Sequence, residues 1–323
     1  MTTFMLRRLM LTAALVLGLG AQAQAQAQEY PTKPVKIIVP FAAGSATDAL
    51  ARLIAENLST RWGQPVLVEN RAGAGGNVGA ESVFRSPPDG SALLFMPGPF
   101  VQKSLYSKLN YDPEGLVPLS AAATGYSVLV VNPKVSAQTL PELIAFAKAN
   151  PGKLNYASQG IASVAHLAGE LFKGMAGVKI VHVAYKGNAP AVTDLLGGQV
   201  DMMFLNFGSA LPHIRSGKLR ALAIGSEKRS SLLPNLPTVS ETLPGFVSMV
   251  WWAMFAPPGT PPAIANKISV ATHEALRSPE IASWLSANTF DAVGGTSSET
   301  AQLMREDNAR WNRVIKDKGI TAD

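Results

Sequence analysis

The feature that most constrains the fold is the alternation of short apolar runs with amphipathic runs along the chain. Residues 35–41 read VKIIVPF, a buried-strand pattern, and the residues from about 48 to 61 carry apolar side chains at helical spacing. A second series of the same kind begins at residues 127–133. Strands that alternate with helices through short joins are typical of parallel sheets covered by helices, so the sequence predicts an α/β fold.

The two series predict two lobes, and 323 residues are enough for two cores. A late strand-like run, VWWAMFAP, and the helix-like runs after it are assigned to the first series, which makes lobe 1 discontinuous. By strand alternation, Trp251 and Trp252 should face opposite sides of that run. We predict that residues 28–127 and 249–323 form lobe 1 and that residues 128–248 form lobe 2, with crossing strands as the hinge.

The N-terminus has the pattern of an export signal. Arg7 and Arg8 precede an apolar run at 9–20, and the repeat AQAQAQA at 21–27 offers several overlapping cleavage sites. A retained membrane anchor is the alternative, but the apolar run is shorter than the about 20 residues that span a bilayer. We expect residues 1–27 to be a cleaved signal peptide and the mature protein to be periplasmic.

Composition excludes several classes of function. The chain contains no cysteine, which excludes disulfides and thiolate chemistry and fits a bacterial periplasm. The formal net charge of +6 is not organised into basic runs with interleaved aromatic residues, so we predict no nucleic-acid partner. A mild positive field of this kind instead suits an anionic small molecule.

Two loops rich in small residues stand where strand patterns change to helix patterns. The segment FAAGSATD occupies residues 41–48, and NRAGAGGNVG occupies residues 70–79. Ligands of open parallel sheets bind at the carboxyl ends of the strands. The unpaired N–H groups and the positive dipole end of a helix start favour an anion, and glycine lets the backbone approach it closely. We therefore predict that these loops bind a carboxylate or a similar anion.

The second of these loops has two other interpretations. It can be a flexible turn, or an incomplete dinucleotide fingerprint. Gly73 and Gly75 match the first two glycines of G-x-G-x-x-G, but the third position is Val78. The sequence GK[ST] does not follow, which excludes a P-loop.

Polar residues at the predicted helix starts also have two interpretations each. Asp48 could act as a base, but a place in the first helical turn, where a carboxylate stabilises the helix dipole, is favoured. Ser45, Thr47 and, in the second series, Ser163 can cap a helix or touch a ligand, and the sequence does not decide between these roles.

No catalytic or metal-binding constellation is visible. His166 and Glu170 have the spacing to share a helix face, but no second histidine completes an H-E-x-x-H motif. His182 falls inside a strand pattern, which favours a core or edge position. There is no G-x-S-x-G elbow and no acid–base cluster. We predict no catalytic residue, no metal and no cofactor.

Several longer segments occur together in a specific order. They include YPTKPVKIIVPFAAGSATDALAR, VENRAGAGGNVGAE, NPGKLNYASQGIASVAHLAGELF, YKGNAPAVTDLLGGQVDMMF and WAMFAPPGTP. With this order and spacing, the mature chain resembles the Bug family of periplasmic solute receptors, the binding-protein component of tripartite tricarboxylate transporters. The resemblance implies a two-lobed type II periplasmic binding protein of the Venus flytrap kind.

The resemblance also implies ligand-binding positions in both lobes. In lobe 1 a ligand carboxylate would be held largely by backbone amides, and lobe 2 would close over the rest of the molecule. The implied first-lobe residues are Phe41, Ala43, Gly44, Ser45, Thr47, Asp48, Gly73, Gly75, Gly76 and Asn77. The implied second-lobe residues are Ser158, Ser163, His166, Tyr185, Gly187 and Asn206.

The sequence departs from the family pattern at two places that concern the ligand. The first loop has Gly44 followed by Ser45 where two glycines are common in the family. Where the family often has Asp-Asn, this chain has Leu205 and Asn206. Loss of that carboxylate is expected to disfavour an amine-bearing ligand and to favour an apolar or plain carboxylic tail.

The expected function is capture of a small organic carboxylate and its delivery to integral membrane carrier subunits. A ligand-sensing adaptor for a signalling partner is the alternative, and the sequence does not separate the two. An enzyme on the same scaffold would need a cluster of acid, base or nucleophile side chains.

Overall fold

A computed structural model of the chain describes residues 30–98, 103–106 and 108–321. The predicted signal peptide at 1–27 lies outside these residues. In the described residues, no helix combines the length and the apolar character needed to cross a bilayer.

The elements alternate along the chain as the sequence predicts. The first series is β1 (Val35–Val39), α1 (Ala46–Trp62), β2 (Val66–Asn70), α2 (Asn77–Phe84), β3 (Ala92–Pro97) and β4 (Val117–Val131). The second is α3 (Leu140–Ala149), β5 (Asn155–Ser158), α4 (Val164–Ala176), β6 (Val181–Ala184), α5 (Asn188–Leu196), β7 (Met202–Asn206), α6 (Phe207–Arg215) and β8 (Arg220–Ile224). The chain then returns through β9 (Met249–Ala256), α7 (Pro262–Leu276), α8 (Pro279–Ala287), β10 (Asp291–Ala292) and α9 (Ser297–Lys318).

Parallel pairing is confirmed within each series. Strand β1 pairs in parallel with β2 and β3, and β5 pairs in parallel with β6 and β7. Strand β9 lies between β3 and β4 and is antiparallel to both. These connections give the order β2-β1-β3-β9-β4-β7-β5-β6, with β8 and β10 paired to β4 beside this path. The predicted α/β fold is therefore confirmed, and the strands that join its two parts are antiparallel.

Strand β4 belongs to both halves of this sheet. Its residues from Val117 to Tyr126 pair with β9, and those from Ser127 to Val131 pair with β7. The chain returns beside the same point, because Ser127 Oγ donates to Ser248 Oγ at 2.7 Å. The two halves are thus joined by two adjacent crossings near the middle of the molecule.

Each half has its own core, and a third cluster connects them. Ile37, Leu50 and Ile54 are buried in the first half, and Phe172 and Phe204 are buried in the second. In the third cluster, Trp311, Val314 and Ile315 of α9 pack with Leu167 of α4. The C-terminal helix therefore lies against the second half as well as the first, and the predicted lobe boundaries of 28–127, 128–248 and 249–323 stay a prediction.

Candidate functional site

The β1–α1 loop is held in place by the side chains at the start of α1. Ser45 is the N-cap and accepts a hydrogen bond from Asp48 N at 3.2 Å. Asp48 Oδ2 accepts from Gly44 N at 2.9 Å, and Asp48 Oδ1 accepts from Asn70 Nδ2 at 2.9 Å. Asp48 thus lies in the first helical turn, where a carboxylate is favourable to the helix dipole. The same Asn70 Nδ2 donates to Phe41 O at 3.0 Å, which ties the end of β2 to this loop.

Asp48 is buried and fully engaged by donors. Besides Gly44 and Asn70, Arg52 Nε donates to Asp48 Oδ2 at 3.1 Å. Burial by itself would raise the pKa of Asp48, but the hydrogen bonds from Arg52, Gly44 and Asn70 outweigh it, so the pKa lies below its usual value. The carboxylate is therefore ionised and bonded within the protein, and the geometry gives it a structural role.

The first residues of α1 present backbone donors. Among the described residues, no partner is found for the amide N–H groups of Ser45, Ala46 and Thr47. The Thr47 side chain is directed elsewhere, because its Oγ1 accepts from the buried Trp252 Nε1 at 2.9 Å. Ala43 and Gly44 are exposed beside these amides. The loop consequently offers N–H groups at a helix start and no free carboxylate.

The β2–α2 loop has a backbone that only small residues adopt readily. Gly73, Ala74, Gly75 and Gly76 all have positive φ, at 144°, 45°, 64° and 100°. The next residue, Asn77, is fixed at both ends of its side chain. Its Nδ2 donates to Ala74 O at 2.9 Å, and its Oδ1 accepts from Tyr111 Oη at 2.7 Å.

The two first-lobe loops lie against each other. A β-carbon at Gly76 would be 3.5 Å from Phe41 Cζ, so the Phe41 ring covers Gly76. At Gly79, in α2, a β-carbon would be only 2.8 Å from Pro40 Cβ and 2.9 Å from Arg71 O. Sequence reasoning missed Gly79, although a glycine inside a helical pattern is a signal of close packing.

The β5–α4 loop of the second half is built in a similar way. Ser163 is the N-cap of α4, accepts from His166 N at 3.4 Å and donates to Gly160 O at 2.7 Å. Ser158 ends β5 and is fully buried. The N–H groups of Val164 and Ala165 have no hydrogen-bond partner in the described part of the chain. This loop therefore also presents backbone donors at a helix start.

A stack of three rings, with Tyr156 and His166 buried and His182 half-buried, supports that loop. The His166 and His182 rings stack at 4.1 Å, and the Tyr156 ring stacks on His182 at 4.8 Å. His166 Nδ1 accepts from Ala162 N at 3.0 Å, and His182 Nε2 lies 2.7 Å from Ser158 Oγ. Burial is the main cause that lowers the pKa of His166, and it lowers the pKa of His182 to about 4. Both rings are neutral near pH 7 and position the loop.

Metal binding has no support in this region. Glu170 Oε1 accepts from Tyr156 Oη at 2.7 Å and from Lys173 Nζ at 2.6 Å, so this carboxylate is already bonded. Within residues 30–98, 103–106 and 108–321, no group of three or more His, Cys, Asp or Glu side chains could hold an ion.

The remaining predicted second-lobe residues adjoin this loop. Gly187 N donates to Gln159 O at 3.1 Å, and Tyr185 N donates to Ser158 O at 3.0 Å. The Tyr185 hydroxyl donates to Asp194 Oδ2 at 2.7 Å. Asn206 ends β7 and caps α6 by accepting from Gly208 N at 3.1 Å.

A cavity of about 260 Å³ lies at this edge of the second sheet, next to the crossing strands. It brings together two predicted residues, Ser163 and Asn206, with residues that sequence reasoning missed. The full lining is Tyr126, Ser127, Gln159, Ser163, Val164, Ala165, Phe204, Asn206 and Val250. The first-lobe loops do not line it, so the predicted site residues form two separate groups, one on each half.

The burial of Leu205 changes the reason for one expectation from the sequence, that an amine-bearing ligand is disfavoured. Its side chain is fully buried in the core of the second half, and it does not line the cavity. A change from Asp to Leu at this position therefore does not remove a charge from the cavity lining. The residue that faces the cavity is its neighbour Asn206.

A larger groove, of about 740 Å³, is also lined by Tyr126, which it shares with the cavity. Residues 226–232 form one wall, and Leu285, Thr289 and Phe290 contribute to the other. Thr289 has a φ of 60°, which is rare for a β-branched residue. Strained backbone of this kind costs about 1–3 kcal/mol and is concentrated at functional sites.

The sequence matches the family described as "Tripartite tricarboxylate transporter family receptor" over residues 50–320. It is 41% identical to Protein BugT of Bordetella pertussis over 295 residues, which are 90% of each chain. Among solved structures, it is similar to Rpa4515 of R. palustris with adipate, at 33% identity and a TM-score of 0.77, covering 90% of this chain and 99% of that one. The periplasmic binding protein BugD gives 33% identity and a TM-score of 0.74, with 90% and 99% coverage.

Proposed function

Because the chain belongs to the receptor family of tripartite tricarboxylate transporters, which includes the Bug proteins, we propose that it captures a small organic carboxylate between its two lobes. In this proposal the β1–α1 and β2–α2 loops hold the ligand carboxylate, and the second-lobe residues contact the rest of the molecule. The protein acts in the periplasm and passes its ligand to integral membrane carrier subunits.

The observation that carries the proposal is the arrangement at the start of α1. The amides of Ser45, Ala46 and Thr47 are without partners in the described residues, while the only carboxylate of that turn, Asp48, is bonded within the protein. Unpaired N–H groups and a positive dipole end together favour an anion. The adipate in the similar Rpa4515 structure supports a carboxylate as that anion.

Closure of the lobes is part of this proposal, and the two helix starts support it. Both α1 and α4 begin with unpartnered amides, and the crossings at Ser127 and Ser248 join the halves that carry them. A ligand that contacts both helix starts binds the closed arrangement better than the open one, and this difference shifts the equilibrium toward closure.

The proposal is tested by replacing one amide at the start of α1. Ala46 is the first residue of the helix, where proline is tolerated, and Ser45 already has the extended backbone (φ −73°, ψ 160°) that a following proline requires. Ala46→Pro thus removes a single N–H donor. A hydrogen bond to a charged group contributes about 1.5–3 kcal/mol, so affinity should fall roughly 10- to 100-fold.

Binding is measured by titration calorimetry on ligand-stripped protein, with acids first selected by thermal shift from mono-, di- and tricarboxylates and aromatic acids. Ala46→Ser keeps the amide and serves as the matched control, with affinity close to that of the parent chain. Equal affinity of Ala46→Pro and Ala46→Ser would contradict the proposal.

A further inference from the structure

We propose that Asn206 determines specificity: it selects carboxylates whose tail ends in a hydrogen-bond acceptor and rejects those whose tail carries an ammonium group. This inference rests on the proposed function, because it concerns the part of the ligand that the second lobe contacts.

The orientation of the Asn206 side chain is fixed by its bond to the backbone. Its Oδ1 accepts from Gly208 N at 3.1 Å, so the amide nitrogen is the atom left for the cavity. Among the described residues, Asn206 Nδ2 has no hydrogen-bond partner. This half-buried donor lines the cavity without a partner, so a ligand acceptor placed here gains a hydrogen bond.

Two backbone groups of the cavity lining are also donors. Val164 and Ala165 line the cavity at the start of α4, and their amides are without partners in the described chain. Together with Asn206 Nδ2, they offer three N–H groups to the ligand tail. Carbonyl, carboxylate and hydroxyl oxygens satisfy such donors, whereas an ammonium group, which has three donors and no acceptor, does not.

No carboxylate lines the cavity as far as the structure describes the chain. Three carboxylates of the predicted ligand loops and of the side chains that support them are already bonded within the protein. They are Asp48, bonded to Arg52, Glu170, bonded to Lys173, and Asp194, bonded to Tyr185. An ammonium group taken from water into this site would therefore lack an anionic partner, which is strongly unfavourable.

Two further acidic side chains, Glu227 and Asp291, line the larger groove. Among the described residues, that groove shares only Tyr126 with the cavity of Asn206. Asp291 is exposed, which makes it a suitable position for a control variant that removes an acidic group outside the cavity.

The test compares acids that differ only at the far end. For chains of four to six carbons, the α,ω-diacid, the ω-hydroxy acid and the ω-amino acid are each titrated into ligand-stripped protein. In the parent chain we expect the tightest diacid or hydroxy acid to bind at least tenfold more tightly than the ω-amino acid of equal length.

Asn206→Asp then reverses the chemistry with little change of shape. Aspartate is as good an N-cap as asparagine, so the bond from Gly208 N and the start of α6 are kept. In the variant, the ratio of the affinity for the diacid or hydroxy acid to the affinity for the ω-amino acid should fall at least tenfold. Asp291→Asn should leave the preference of the parent chain unchanged.

The inference is overturned if parent protein binds the ω-amino acids as tightly as the diacids, or if Asn206→Asp does not alter the ratio. It is also overturned, with the proposed function intact, if other carboxylates bind but no member of the four-to-six-carbon series does. If no carboxylate binds at all, the proposed function fails together with this inference.

Discussion

A single methyl group at Gly79 would test how the two first-lobe loops are held together. Gly79 lies in α2 (Asn77–Phe84), and a β-carbon there would be 2.8 Å from Pro40 Cβ, 2.9 Å from Pro40 Cα and 2.9 Å from Arg71 O. Pro40 begins the β1–α1 loop and Arg71 begins the β2–α2 loop. None of these atoms is the far end of a flexible side chain, so Gly79→Ala must displace backbone.

The size of the effect follows from two opposing contributions. Alanine is more favourable than glycine in a helix by about 1 kcal/mol. Overpacking a tight site typically costs 1–3 kcal/mol of stability, and because the neighbours of Gly79 are rigid we expect a cost of about 3 kcal/mol here. We therefore expect Gly79→Ala to lower the free energy of unfolding by roughly 2 kcal/mol and to weaken carboxylate binding, because both loops shift.

Gly174→Ala is the matched control. Gly174 lies within α4 (Val164–Ala176), and its nearest neighbour for a β-carbon is Lys318 Cε at 3.8 Å, an ordinary contact at the end of a flexible side chain. This variant should raise the free energy of unfolding by up to about 1 kcal/mol. Urea denaturation of both variants measures the difference. If Gly79→Ala proves as stable as Gly174→Ala, the close packing of α2 on the two loops is refuted.

Three further predictions concern the supports of the loops. Asp48→Asn should lower the free energy of unfolding by about 1–3 kcal/mol at pH 7, because an amide cannot accept hydrogen bonds at both of its terminal atoms. Since the pKa of Asp48 is lowered in the folded chain, the parent protein loses this stability as pH falls below about 4. Equal pH profiles of the two proteins in urea denaturation would contradict the prediction. Thr47→Val should cost about 1–3 kcal/mol by leaving Trp252 Nε1 unpaired, whereas Thr47→Ser should be close to neutral in thermal unfolding. Burial lowers the pKa of His182 to about 4 in the folded chain, against about 6.5 when unfolded, so the free energy of unfolding should decrease as pH falls from 6.5 toward 4. His182→Phe should make this decrease smaller. If the variant shows the same dependence of unfolding free energy on pH as the parent chain, the role given to burial is contradicted.

A local sequence pattern was sufficient to place Asp48 in the first turn of α1, because this position depends on contacts within four residues. The same pattern left Ser45 open between capping and ligand contact, and the structure makes Ser45 the N-cap. The opposite directions of Trp251 and Trp252 follow from strand alternation, and their ring nitrogens indeed donate to groups in different parts of the first half, Asp307 and Thr47. What sequence alone left open for Thr47, capping or ligand contact, depended on a residue 205 positions away.

The cavity could not be predicted because its lining comes from separate parts of the chain. Tyr126 and Val250 meet only because β4 and β9 pair side by side at the crossing, with Gly125 opposite Val250. The direction of the Leu205 side chain could not be predicted for the same reason. The register of β7 with β4 decides whether Leu205 or Asn206 faces the cavity. A near-continuous apolar run such as MMFLN gives no alternation from which to read that direction.

The place of β9 between β3 and β4 has a consequence for the order of folding during synthesis. The second sheet uses strands that end by Ile224, so its part of the chain can be completed first. The first sheet keeps the facing edges of β3 and β4 unpaired until β9, at Met249–Ala256, has been made. Open strand edges invite pairing with other chains, and contacts between distant residues form slowly. A nascent chain of this protein therefore has a long interval in which it depends on protection from aggregation, and any truncation before β9 leaves it permanently in that condition.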